Sequence, residues 1–224
     1  MGYGTVIDKF RFDATHLADS SNQNPSLSDG AYAGGTVLED AAVPLSALPV
    51  GVEQPAPGLP FSDVPADAYY ADALRWALQK GVTTGTTAST FSPGASCNRG
   101  QVVTFLWRAM GQPAPKSSRN PFTDVKTGDY YQNAILWAVE KGITTGTSAG
   151  TFSPKRTCTR AEVITFLWRA MGKPENKGSS VWYADAVNWA DRHGLLADAS
   201  RAFTPEEVCP RADIVTYLYR VLNK

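Results

Sequence analysis

The chain has 224 residues, of which 43% are hydrophobic, and its 21 basic residues balance 21 acidic ones. A chain without net charge offers no basic field, so we expect neither nucleic acid nor an anionic membrane surface as its partner. No apolar run in the sequence approaches the roughly 20 residues that a membrane-spanning helix needs.

Residues 1–60 change character along their length. The run from Thr5 to Phe12 alternates as a β-strand does, and five prolines between Val43 and Pro60 favour an extended linker. The first residues lack the charged leader and apolar core of a secretory signal, so we expect none in the sequence as it stands. We interpret residues 1–60 as an irregular or strand-containing lead-in, with self-association through this segment as one option.

An internal repeat follows the lead-in. Residues 61–111 and 122–172 align without a gap at an offset of 61, and 30 of the 51 aligned positions are identical. A third, weaker version occupies residues 181–224. We call these segments copies 1, 2 and 3, and a repeat of this kind predicts three structurally similar units in one domain, 61–224.

Each copy contains the pattern of two helices joined by a long loop. In copy 1 an amphipathic stripe runs from Tyr70 to Leu78, and capping boxes begin the second helix at Asn98 and, in copy 2, at Thr159. Apolar residues nearly encircle this second helix, so three of them can be buried only against one another. We therefore predict a mainly α fold, in which three helix-loop-helix repeats form a pseudo-threefold bundle with the second helices at its centre.

An arginine follows the start signal of the second helix in every copy: Arg99, Arg160 and Arg211. A cation in the first turn opposes the helix dipole, which indicates a particular role. The free N–H groups of a helix N-terminus together with a guanidinium can hold a carboxylate or a phosphate. Alternatively, each arginine pairs with a carboxylate of a neighbouring copy, for which Asp63, Asp124 and Glu162 are candidates.

The tryptophans Trp76, Trp137 and Trp189 lie outside the apolar stripe of their helices. An aromatic ring in this position can pack against an adjacent copy or provide a platform for a sugar ring. Both interpretations stay open.

The sequence contains no catalytic or metal-binding pattern. The two histidines, His16 and His193, fall outside the repeated motif, and an enzyme has no need of the same chemistry three times. The cysteines occupy equivalent positions just before the second helices, as buried small hydrophobic residues do: Cys97, Cys158 and Cys209. We expect no enzyme activity, no cofactor and no metal.

The repeat resembles the S-layer homology family. Five blocks occur in order in copy 2: Phe-x-Asp-Val, Tyr-Tyr-x-x-Ala, Lys-Gly-hydrophobic-Thr-x-Gly, Thr-Phe-Ser-Pro and Thr-Arg-Ala-Glu. The resemblance covers residues 61–224 and implies a location in the bacterial cell wall or S-layer. It also implies non-covalent anchoring to a pyruvylated secondary cell-wall polysaccharide attached to peptidoglycan.

In that family the arginine of Thr-Arg-Ala-Glu lines grooves between repeats, a role that falls here to Arg160 and, by alignment, to Arg99 and Arg211. The full candidate ligand site adds three pairs of residues from copies 1 and 2: Asp63 and Asp124, Trp76 and Trp137, and Gly85 and Gly146. Copy 3 carries Asp198 at the position of the loop glycines, so we expect unequal grooves, with Arg160 strongest, Arg99 second and those relying on copy 3 weak.

Two other functions fit the same pattern. The grooves of a structural or assembly module would bind another protein segment, such as residues 1–60 of a neighbouring chain. The chain could also be the anchor of a surface hydrolase.

Overall fold

The computed structural model of the chain describes residues 58–197 and 202–223. The predicted strand and linker of residues 1–57 lie outside this part. The described residues form six α-helices and no strand beyond isolated bridges, which confirms the mainly α prediction. The helices are α1 Ala71–Gln79, α2 Arg99–Ala109, α3 Gln132–Glu140, α4 Arg160–Ala170, α5 Ala184–Arg192 and α6 Arg211–Leu222.

The helices form a closed ring of contacts. The second helices α2, α4 and α6 pack against one another at the centre. Each first helix packs on the second helix of the preceding copy: α3 on α2, α5 on α4, and α1 on α6. The last pair joins copy 1 to copy 3, so the predicted pseudo-threefold arrangement is confirmed.

The sequence located the starts of α2 and α4 correctly. In α2 the Asn98 side chain accepts from the Gln101 backbone N–H, and the Gln101 side chain accepts from the Asn98 backbone N–H. Thr159 and Glu162 make the same two bonds in α4. These reciprocal bonds are capping boxes. Helix α6 begins after Pro210 without a side-chain cap.

The segments before the second helices meet near the centre of the ring. The Cys158 N–H donates to the Cys97 carbonyl at 3.0 Å, and the Cys209 N–H donates to the Cys158 carbonyl at 3.0 Å. All three thiols are free and fully buried. Burial raises the pKa of Cys97 to about 11 and that of Cys158 to about 12. The interpretation of these residues as small buried hydrophobes is confirmed.

The tryptophans of the first helices are also buried. Trp76 is 7% exposed and its ring packs edge-on against Tyr219 of α6, with 5.9 Å between centroids. The interpretation as packing between copies is confirmed for Trp76. Trp137 is only 3% exposed, so neither side chain presents an open face to a sugar.

Candidate functional site

The first two backbone N–H groups of each second helix are already bonded within the chain. In α2, Arg99 N–H donates to the carbonyl of Arg156 at 2.8 Å, and Gly100 N–H donates to that of Pro154 at 2.9 Å. Loop carbonyls of the following copy accept the corresponding N–H groups of the other two helices. At α4 the acceptors are the carbonyls of Glu207 and Pro205, and at α6 they are those of Ala95 and Pro93 in copy 1. The expectation that these N–H groups bind a ligand is therefore wrong, because the chain itself satisfies them.

The arginine side chains cross to the loop of the following copy. Arg99 Nε donates to the Phe152 carbonyl at 3.0 Å, and Arg211 Nε donates to the Phe91 carbonyl at 2.9 Å. Each guanidinium also lies over the ring of the same phenylalanine, 4.8 and 4.9 Å from its centroid. Each arginine therefore belongs to the groove of the next copy, not to that of its own.

The two aspartates act within their own loops. Asp124 accepts from the backbone N–H groups of Phe152 at 2.9 Å and Ser153 at 2.7 Å. Asp63 makes the same two bonds in copy 1, to Phe91 and Ser92. The alternative in which an arginine pairs with a carboxylate of a neighbouring copy is wrong for these two aspartates but is confirmed for Glu162, which pairs with Arg99. The two aspartates hold in place the phenylalanine whose carbonyl the arginine contacts.

The loop glycines are required by the backbone. Gly146 has φ 93°, and a Cβ built there would lie 2.4 Å from the Thr151 carbonyl oxygen. Gly85 has φ 91°, and its Cβ would lie 2.5 Å from the ring of Phe61. Only glycine fits this tight turn without strain.

Groove B, which we define by the loop of copy 2, is open and basic. Its volume is about 530 Å³, and it is lined by Arg99, Thr144, Thr145, Gly146, Thr147, Arg156, Glu162, Thr165, Phe166, Arg169 and Trp182. Three guanidinium groups face one carboxylate, an excess of two positive charges. Glu162 Oε1 pairs with both Arg99, at 3.4 Å, and Arg156. Burial lowers the pKa of Arg99, although the nearby Cys158 and Glu162 act to raise it.

Two further side chains make groove B suitable for a polar ligand with a ring. Trp182, from copy 3, is 53% exposed and stands at the groove with its ring edge-on to Tyr183. The Thr165 hydroxyl is buried without a hydrogen-bond partner. Its counterparts Thr104 and Thr216 instead donate to backbone carbonyls of their own helices.

Groove C, defined by the loop of copy 3, uses corresponding positions but is nearly filled. Its volume is about 20 Å³. Arg160 Nη2 lies 2.6 Å from Asp213 Oδ2, and Arg160 Nε lies 3.3 Å from Glu207 Oε2. The Tyr69 hydroxyl donates to the other oxygen of Asp213.

Among the residues that the structure describes, the charges around groove C balance: Arg160, Arg220 and Asp213 line it, and Glu207 lies beside Arg160. Burial acts to lower the pKa of Arg160, but neighbouring groups, Tyr217 and Asp213 first among them, outweigh it and the pKa is raised. Arg160 is thus already paired with carboxylates of the chain. The ranking that placed it first among the three arginines is not supported by this geometry.

Groove A, defined by the loop of copy 1, is served by the arginine of copy 3. Arg211 Nη2 donates to Thr83 Oγ1 at 3.3 Å, and Arg108 Nη1 donates to the Val82 carbonyl at 3.3 Å. By alignment, Ala95 and Gln101 stand where groove B has Arg156 and Glu162. Arg211 therefore lies beside a loop that resembles that of copy 2.

Sequence reasoning missed Arg156, Thr165, Arg169 and Trp182. Arg156 has no arginine counterpart in the other copies, where Ala95 and Glu207 take its place, whereas Arg169 repeats as Arg108 and Arg220. The aromatic position of Trp182 repeats as Tyr69 and Tyr130, both more than half exposed. That repetition was a signal for an aromatic rim at the grooves.

Among the described residues, no group of three or more metal-ligating side chains is arranged to hold a metal ion. No helix in the same part of the chain is long and apolar enough to cross a membrane.

Comparison with known proteins shows what the repeat is similar to. Residues 60–103 and 121–164 match the family model of the S-layer homology domain. An endoglucanase of Bacillus sp. (strain KSM-635) is 33% identical over 63% of this chain and 15% of its own length. An S-layer protein of Bacillus thuringiensis subsp. finitimus is 28% identical over 64% of the chain and 18% of its length. The S-layer protein sap of Bacillus anthracis is 24% identical over 77% of the chain and 23% of its length. The matched part thus amounts to less than a quarter of each of these relatives.

Proposed function

We propose that residues 61–224 form one three-repeat S-layer homology module that anchors a protein non-covalently to the bacterial cell wall. The family match covers copies 1 and 2. Copy 3 is included because its two helices complete the ring, through α1 on α6 and α5 on α4. The proposed boundaries are a lead-in, 1–60, followed by repeats 61–111, 122–172 and 181–224.

The ligand we infer is an acidic glycan, a pyruvylated secondary cell-wall polysaccharide attached to peptidoglycan. The observation that carries this proposal is groove B, where Arg99, Arg156 and Arg169 converge with only one carboxylate between them. A guanidinium binds a carboxylate through two parallel hydrogen bonds, and the pyruvyl ketal supplies such a carboxylate.

The remaining residues of groove B fit the sugar itself. An exposed indole such as that of Trp182 offers a flat apolar face to a sugar ring. The unpartnered hydroxyl of Thr165 can bond a polar group of the ligand. Asp124 and Gly146 hold the loop, and Arg211 in groove A marks a second site of the same kind.

The range of relatives favours attachment over catalysis. The matched region occurs both in a protein named as an endoglucanase and in proteins named as S-layer proteins. A region shared between such different proteins suits a common anchor at the cell surface. We therefore assign no enzyme activity to this module.

The rival function is an assembly module whose grooves bind a protein segment. Sedimentation with purified cell-wall sacculi separates the two. The chain should pellet with intact sacculi, remain in solution once the polysaccharide has been chemically removed, and be displaced by a soluble synthetic sugar carrying a pyruvyl ketal. Undiminished pelleting with stripped sacculi would favour the assembly function.

A further inference from the structure

Groove C contains the chain's own substitutes for an anionic ligand. Four lining residues of groove C occupy the positions of four lining residues of groove B. Arg160 takes the place of Arg99, Thr216 that of Thr165, Arg220 that of Arg169 and Tyr69 that of Trp182. The volumes differ, about 20 Å³ against 530 Å³. We attribute the difference in volume to the few lining positions at which the two grooves carry different residues.

Three exchanges concern the surroundings of the arginine. Glu207 replaces Arg156, so a negative charge stands where groove B has a positive one. Asp213 replaces Glu162 and lies 2.6 Å from the guanidinium. The shorter acid at position 213 also accepts the hydroxyl of Tyr69, which ties the rim of groove C to its floor.

The third exchange is at the aromatic ring beneath the guanidinium. Arg99 lies over Phe166 at 5.1 Å and Arg211 over Phe105 at 5.1 Å. In groove C the corresponding ring is Tyr217, whose hydroxyl lies 3.4 Å from Arg160 Nη1. The guanidinium is therefore surrounded by oxygen atoms of the chain itself.

We propose that groove C is a latent site for the same carboxylated sugar, closed by Glu207, Asp213 and Tyr217. This inference rests on the proposed function of groove B. The arginines of both grooves start equivalent helices, and in groove C the carboxylates of Asp213 and Glu207 lie within ion-pair distance of Arg160, at the place that a ligand carboxylate would occupy. Among the described residues, replacing the three by their groove B counterparts would leave three guanidinium groups facing one carboxylate, as in groove B.

The test is a calorimetric titration of a synthetic N-acetylhexosamine carrying a pyruvyl ketal into the full chain. The triple variant Glu207→Arg, Asp213→Glu, Tyr217→Phe should bind one more sugar per chain than the unmodified chain. The control Glu206→Arg adds positive charge at the neighbouring exposed position; it is Glu207, not Glu206, that pairs with Arg160. This control should leave the number of bound sugars unchanged.

A second variant covers the case in which the first fails to fold, as judged by circular dichroism. It takes the copy 1 residues, Glu207→Ala, Asp213→Gln and Tyr217→Phe, and should also gain one site. If a folded variant binds only as many sugars as the unmodified chain, the latent site is refuted while the proposed function stands. If the unmodified chain binds none, the proposed function fails, and the latent site fails with it.

Discussion

Grooves B and C place an arginine at the same point of the fold, but they surround it differently. Arg99 shares its only carboxylate with Arg156, whereas Arg160 is held between Asp213 and Glu207. One groove is open with two excess positive charges, and the other is electrically balanced and filled. The helix-start arginine alone therefore does not define an anion site, because the residues at two nearby positions decide whether its guanidinium is available to a ligand.

The largest expected difference is in stability. Asp213→Asn should lower the free energy of unfolding by about 3 kcal/mol, because it breaks a buried ion pair and leaves Arg160 with less compensation. The matched change in groove B, Glu162→Gln, should lower the free energy of unfolding by much less, since Gln101 forms the same capping box in copy 1. Urea denaturation of the two variants measures both values. Equal losses would contradict the different roles given to the two carboxylates.

A smaller loss is expected where the loop of groove B is held. Asp124→Ala removes the acceptor of two backbone N–H groups, from Phe152 and Ser153, and should lower the free energy of unfolding by about 2 kcal/mol. Sugar binding at groove B should weaken as well, because the Phe152 carbonyl positions Arg99. The exposed Asp67 provides a control, as its replacement by Ala should leave binding intact. Unchanged stability of the Asp124 variant would show that the loop is held by other contacts.

The smallest predicted effect is at the rim. Trp182→Ala should weaken binding of the pyruvylated sugar several-fold, about 1 kcal/mol for a lost aromatic contact, with no loss of helical circular dichroism. Tyr69→Phe alters the corresponding rim of groove C without removing its ring, and should not change the affinity. A Trp182 variant with the affinity of the parent would exclude the indole from the site.

The sequence predicted the helices, their central arrangement and the capping boxes because these depend on local patterns. It could not reveal which copy each arginine serves. Arg160 stands in the copy with the full motif, but its side chain contacts Asp213 and Glu207 of the next copy, whose surroundings differ. The expectation that grooves relying on copy 3 bind poorly stays a prediction, and Arg211 contacts the loop of copy 1 through Phe91 and Thr83. Connectivity around a ring is set by tertiary packing, which a single repeat does not encode.

The aromatic residues show the same limit. Helical position correctly placed Trp76 and Trp137 off the stripe of their own helices, but could not show that a neighbouring copy covers that side. The exposed ring is instead Trp182, which lies before the first helix of copy 3 and reaches the groove of copy 2.

The central claim is that the surroundings of the arginine, and not the completeness of its motif, determine binding. Titration of the pyruvylated sugar into Arg99→Gln and Arg160→Gln, both checked for folding, tests it directly. We predict that Arg99→Gln weakens binding at groove B about tenfold or more, the loss expected for charge-assisted hydrogen bonds to a carboxylate, while groove A keeps its affinity. Arg160→Gln should retain the affinity of the unmodified chain within about twofold, since its groove is closed. The reverse order, with Arg160→Gln the weaker binder, would contradict the account.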